Sequence, residues 1–161
     1  METTIQPVRT DELDRCAEVI RESFLTVARD FGLTTENCPT NGAFIRKERL
    51  EADLAKGNRM YGLVRGGDMI GFMQLETGRE GAIILEKLAV LPDCRHLGCG
   101  KTLLDFAKET ARSLGGVKLL AAIIEENTVL KQWYIGHGFI HTGTKKFEHL
   151  PFTVGFLHFA L

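Results

Sequence analysis

Apolar residues recur along this chain in two periods, and the periods alternate. Leu13, Ala17, Ile20, Phe24, Val27 and Phe31 fall every three or four positions, the repeat of a helix with one buried face. Thr10 or Asp11 can cap that helix, and Gly32 can stop it. Phe44 to Lys56 predicts a second, more charged helix closed by Gly57-Asn58. Leu103, Leu104, Ala107, Ala111 and Leu114 predict a third helix over Lys101–Leu114, ended by Gly115-Gly116, and Asn127 to His137 a fourth. Between them lie short apolar runs of strand length: Ile5–Arg9, Met60–Arg65, Met69–Glu76, Ala82–Val90, Lys118–Ile124, Phe139–Phe147 and Thr153–Leu161. Gly66-Gly67-Asp68 is a hairpin signal, and Gly32 to Gly42 reads as a loop rich in turn formers.

The predicted order is β-α-α-β-β-β-α-β-α-β-β, with no internal repeat, low-complexity tract or linker. That order fits one α/β layered domain over residues 1–161, built on a mixed sheet. A chain of 161 residues is long enough to bury roughly two-thirds of its unfolded surface. A formal charge of −1 supplies no field for nucleic acid or anionic lipid. The longest unbroken apolar run, Leu119 to Ile124, is too short to cross a bilayer. The N-terminus shows no continuous apolar stretch of a secretory signal. Cys16, Cys38, Cys94 and Cys99 form no C-x-x-C pair, so reduced thiols in a cytoplasmic protein are the expectation. No metal site is expected: His137 and His141 are four apart, but Gly138-Phe139 interrupts any helix between them.

Chemistry enters with CRHLGCGKTLL, residues 94–104. Its Gly100-Lys101-Thr102 resembles the end of a P-loop, yet Arg95 stands where that loop needs its first glycine. The dinucleotide fingerprint fails too, because Leu103 replaces its third glycine. What survives is strand, turn, Arg-x-x-Gly-x-Gly, helix. Backbone N–H groups of residues 98 to 102 would face outward at a helix end carrying roughly half a positive charge, which suits a pyrophosphate. Gly98 and Gly100 remove the Cβ atoms that would hinder approach, while Arg95 and Lys101 can add charge.

With its surroundings, the segment resembles the acetyl-CoA motif of the GNAT acetyltransferase superfamily. Leu88-Ala89-Val90-Leu91-Pro92 matches the strand end, and Arg95, Gly98 and Gly100 match [Q/R]-x-x-G-x-[G/A]. Asn127, Tyr134, Gly138 and Phe139 match a second family motif at the usual separation. The close resemblance covers about residues 82 to 139. Cys99 departs from it, standing where the family usually has an aliphatic residue, as does His96-Leu97. The resemblance implies a mixed, mostly antiparallel sheet of about seven strands flanked by about four helices. It implies acetyl-CoA lying in a wedge between Ala82–Val90 and Lys118–Ile124. Leu88 and Val90 would then pair with the pantetheine arm through their main chain. The diphosphate would sit on Arg95, Gly98, Cys99, Gly100, Lys101 and Thr102, with Asn127 steadying the arm.

Direct transfer to an amine needs a base, donors for an oxyanion and a proton for the departing thiolate. Tyr134, protonated at neutral pH, can give that proton. Glu86 is the candidate base, since a carboxylate amid Ile83, Ile84, Leu85 and Leu88 would have its pKa raised by burial. It would share a strand face with residues 88 and 90. Glu76 is the reserve. The acceptor, a small-molecule or peptide amine, is expected among Phe24, the Thr34–Thr40 loop with Asn37 and Cys38, and the segment around His149. An inactive acyl-CoA-sensing domain is the rival reading, and a homodimer through the closing strands stays an open option.

Overall fold

In the computed structural model, which describes residues 2–161, the strands form one seven-stranded sheet ordered β1-β2-β3-β4-β5-β7-β6. The strands are β1 (Thr3–Pro7), β2 (Arg59–Arg65), β3 (Asp68–Thr77), β4 (Ala82–Val90), β5 (Lys118–Ile124), β6 (Ile140–Lys146) and β7 (Thr153–Ala160). Every neighbouring pair is antiparallel except β4 and β5. The helices are α1 (Leu13–Asp30), α2 (Lys47–Ala55), α3 (Cys99–Ser113) and α4 (Thr128–Gly136). The mixed, mostly antiparallel sheet with four flanking helices is the expected architecture.

Side-chain alternation on the strands splits the core in two. Met73, Leu75, Ile83 and Leu85 join Leu103, Leu104, Ala107 and Ala111 of α3, with Tyr134 of α4, on one face. Met60, Met69, Phe72 and Ala89 join Ala17, Val19 and Ile20 of α1, with Leu50 of α2, on the other. A third cluster gathers Ala28, Leu33, Cys38, Ala43 and Ile124, with Phe24, Leu150 and Phe152 packed against it. All four cysteines are buried and unpaired. Among the described residues no helix is long and apolar enough to cross a membrane.

Several boundaries move. The first strand begins and ends two residues earlier than expected: its last register pair is Pro7 with Tyr61, and Val8 adds one further N–H bond, to Met60 O at 3.0 Å, before the chain leaves the sheet. A 3-10 turn, Thr10–Glu12, leads into α1, so neither Thr10 nor Asp11 is its cap. Phe44 belongs to a separate 3-10 turn, Gly42–Phe44, capped by the Asn41 side chain. The hairpin turn falls as read: Arg65 faces Asp68 across Gly66 and Gly67, whose φ values of 59° and 84° suit a two-residue type I′ turn.

Candidate active site

The parallel pair that should hold a ligand is short. β4 and β5 pair only from Ala82↔Lys118 to Ile84↔Leu120, although both strands run on for several residues. Beyond that point they lose their register and leave a gap in the middle of the sheet. A bulge marks the same stretch of β4. Phe72 faces Ala89 and Gln74 faces Glu86, so Lys87 and Leu88 together oppose Met73 alone. Lys87 takes up the extra length at φ 53°. The bulge also corrects an expectation: Glu86 does not share a face with Leu88 and Val90. Leu88 and Val90 pack against the α3 side, whereas Glu86 meets Gln74 and Lys87 over the α2 side, where Asp53 lies.

Past the gap, β4 ends in Leu91-Pro92 and the chain turns into α3 through two left-handed residues, His96 (φ 63°) and Gly98 (φ 81°). From His96 to Lys101 no backbone N–H has a partner among the described residues. The next one, Thr102 N–H, donates to Gly98 O at 3.0 Å, as does the Thr102 hydroxyl. Consecutive free N–H groups at the positive end of a 15-residue helix form an anion-binding concavity. The two glycines serve different needs there. A Cβ on Gly98 would meet nothing within 4 Å, so its requirement is the left-handed backbone. A Cβ on Gly100 would stand 3.2 Å from Trp133 Cζ2, so its requirement is helix packing.

Two cations expected near an anion are engaged elsewhere. Arg95 directs its guanidinium to α1, where Nη2 donates to Ser23 O (2.6 Å) and Nη1 to Thr26 Oγ1 (3.0 Å). Burial holds its pKa below the usual range. Lys101 pairs with Asp105 at 2.6 Å on the exposed face of α3. Val90 N–H donates to Ser23 Oγ at 3.2 Å, so Ser23 ties α1 both to the β4 edge and to the loop. Cys99 is 5 % exposed and part of the α3 core.

Asn127 is the N-cap of α4, its side chain accepting from Leu130 N–H at 3.2 Å. Tyr134 follows two turns later, 5 % exposed and edge-on to Phe139 and Trp133. Among the described residues no sealed side-chain oxygen or nitrogen lacks a partner. Among the described residues the Tyr134 hydroxyl makes no hydrogen bond, and burial raises its pKa above the ordinary 10. Glu125 anchors this helix, accepting from Lys131 (2.7 Å) and pairing with His141 (2.9 Å) of β6.

Glu86 lies in a dense polar cluster. Burial and, next, a hydrogen bond shared with Glu76 push its carboxyl from an ordinary 4.5 up to about 7, against the opposing charge of Lys87. A folded-state pKa above the unfolded one means that the folded protein binds more protons between those values. Stability is therefore lost as pH rises through that window. Glu86→Gln is expected to raise the melting temperature by about 3 °C or more at pH 8 and to change it little at pH 4. Melting curves at the two pH values check this, and equal shifts at both would contradict it.

The family model for the GNAT acetyltransferases matches residues 24–139, a span holding the gap, the N–H turn, Glu86 and Tyr134. The chain belongs to the GNAT acetyltransferase family. No curated protein matches the sequence. Solved structures share the fold at low identity. PaiA N-acetyltransferase from Thermoplasma acidophilum, in complex with coenzyme A, is 21% identical over 100% of both chains with a TM-score of 0.81. The ribosomal-protein-S18-alanine N-acetyltransferase of Escherichia coli is 15% identical over 99% of this chain and 94% of its own, with a TM-score of 0.78. The IAA acetyltransferase of Bacillus cereus is 18% identical over 99% and 100%, with a TM-score of 0.72.

The residues expected on the acceptor side are partly brought together. Phe24 and Cys38 share a cluster with Leu150 and Phe152, so α1, the 32–42 loop and the β6–β7 connection meet. Gly42 admits the Phe24 ring, since a Cβ there would lie 2.7 Å from its Cγ. Cys38 is 2 % exposed and packs rather than presents its thiol. Asn37 is spent on its own turn, bonding Thr34 N–H at 2.7 Å and Gly32 O at 2.9 Å. His149 is exposed and stands edge-on to Phe147. A hollow of about 190 Å³ beside it is lined by Glu126, Lys146, Phe147, Leu150 and Phe152, among others. Sequence reasoning missed Ser23, Asp53 and Gln74. Gln74 left a signal, being the one polar residue inside the apolar run from Met69 to Leu75.

Proposed function

We propose that this chain is an acetyl-CoA-dependent N-acetyltransferase that acylates the amine of a small molecule or peptide within a single domain. The observation that carries the reading is the run of uncommitted N–H groups from His96 to Lys101 beside a gap in the sheet. The residues fit the cosubstrate: Gly98 admits a diphosphate at the helix end, and Leu88, without a cross-strand partner, borders the gap where an extended arm would lie. Arg95 serves by bracing the loop on α1, and Asn127 by capping the helix that bears Tyr134. Bound acetyl-CoA supplies an acetyl thioester whose carbonyl carbon is electrophilic. Glu86 takes the proton from the acceptor ammonium, directly or through water, on the α2 side of the sheet. Tyr134 gives a proton to the departing sulfur from the α4 side. The cluster of Phe24, Leu150 and Phe152 walls the acceptor side.

Calorimetry and thiol release test this. Acetyl-CoA is expected to bind and ATP not to. Free thiol is expected with at least one member of a panel of polyamines, amino acids, aminoglycosides and peptides. Binding without thiol release from any amine would instead mark a sensing domain. Tyr134→Phe is expected to lower kcat about 100-fold with little change in KM for acetyl-CoA. Full turnover in that variant would remove the proton-donor role.

A further inference from the structure

Lys87 is a non-glycine residue held at φ 53° in the bulge of β4. A left-handed residue with a long side chain is strained and persists where surrounding contacts over-determine it. Those contacts form a closed ring. Lys87 Nζ donates to Asp53 Oδ2 (3.0 Å), Glu86 Oε2 (3.3 Å) and Gln74 Oε1 (3.4 Å). Gln74 Nε2 donates to the same two carboxylates, at 3.1 Å to Asp53 and 3.3 Å to Glu86. Asp53 of α2 is 3 % exposed and Gln74 of β3 fully buried. Gln74 of β3 and Lys87 of β4 therefore converge on one carboxylate oxygen of Glu86, and Asp53 of α2 holds both donors.

We propose that Lys87, anchored by Asp53 and Gln74, is a positioning residue that fixes the Glu86 carboxylate on the α2 side of the sheet and sets its proton affinity. Its role in catalysis rests on the reading of Glu86 as the base. The charges facing Glu86 are Glu76 from β3, Lys87 on its own strand and Asp53 from α2, with Arg49 behind Asp53 at 3.5 Å. Lys87 is shared. Burial alone would raise the Asp53 carboxyl, but the bonds from Lys87 and Gln74 and the charges of Lys87 and Arg49 hold it below the usual range. Asp53 thus takes much of the lysine's charge, and Glu86 receives the remainder. Two substitutions in one cluster must then act in opposite directions. Asp53→Asn frees the lysine for Glu86 and removes a negative neighbour, so Glu86 becomes more acidic. Lys87→Met removes the only cation in contact with Glu86 among the described residues, so it becomes less acidic. A purely structural cluster predicts no such opposition.

The test is a carboxyl ¹³C NMR titration of the full chain labelled at glutamate Cδ, with Glu86 assigned as the signal lost in Glu86→Gln. The midpoint is expected to fall by about one unit in Asp53→Asn and to rise by about one unit in Lys87→Met. Lys87→Arg is expected to stay near the parent. Shifts of the same sign, or none, overturn the proposal. If Lys87→Met does not fold, the sign in Asp53→Asn decides alone: downward supports, upward or unchanged overturns. The titration reads the tuning without turnover. Glu86→Gln activity reads the base role separately, so either can fail without the other.

Discussion

Gly98→Asp is expected to weaken the binding of coenzyme A at least about 10-fold beyond the loss caused by Gly98→Asn, measured by calorimetry at low ionic strength. Asn and Asp both tolerate the left-handed backbone that Gly98 occupies, and a Cβ there meets nothing within 4 Å. The two variants therefore carry similar folding costs and differ in one charge. That charge would stand among N–H groups that are free from His96 to Lys101 among the described residues, the site proposed for the diphosphate. Two unit charges 4 Å apart interact by about 4 kcal/mol at an effective dielectric of 20. Screening cuts this, but 1.4 kcal/mol already corresponds to the tenfold difference. Raising the salt to 1 M should narrow the gap between Asp and Asn. Equal affinities at low salt would place the diphosphate elsewhere and remove the main support for the donor site.

The fold was legible where apolar runs are bounded by strong turn formers. β4 and β5 match the expected Ala82–Val90 and Lys118–Ile124 because Gly81, Leu91-Pro92, Gly115-Gly116 and Glu125-Glu126 punctuate them. β1 was less legible, since its limits are set by pairing with β2 rather than by its own residues. The site divides similarly. Gly98 and Glu86 were singled out by residue type and position, and Tyr134 through the resemblance of its segment to a family motif. The bulge at Lys87 was not, because a one-residue slip is a property of two paired backbones and leaves no composition signal. Yet that slip decides on which side of the sheet Glu86 stands. Arg95 shows a second limit: its charge suggested a phosphate contact, while packing turned the guanidinium to Ser23 and Thr26. Buried partners such as Asp53 and Gln74 become visible only when helix and sheet are superposed.

Glu86→Gln carries the other large expected effect, a loss of about 100-fold or more in kcat with KM for acetyl-CoA little changed. An acceptor amine with an ordinary pKa near 10.4 is almost wholly protonated at pH 7, so the group that takes its proton must be poised near that pH. Burial beside Glu76, against Lys87, brings Glu86 to about 7. Glu76 has no comparable ring of contacts: β3 carries Gln74, not Glu76, into the bonds with Asp53 and Lys87. In the parent protein kcat/KM should therefore rise with pH to a plateau above about 7, the acid limb reporting Glu86. Gln at this position keeps the shape and one acceptor but cannot take a proton, so the limb should vanish along with the rate. A variant that kept the limb and most of the rate would transfer the base role to another group, and Glu76→Gln would then be the informative substitution. Loss of rate with the limb intact would assign Glu86 to holding the bulge rather than to proton transfer.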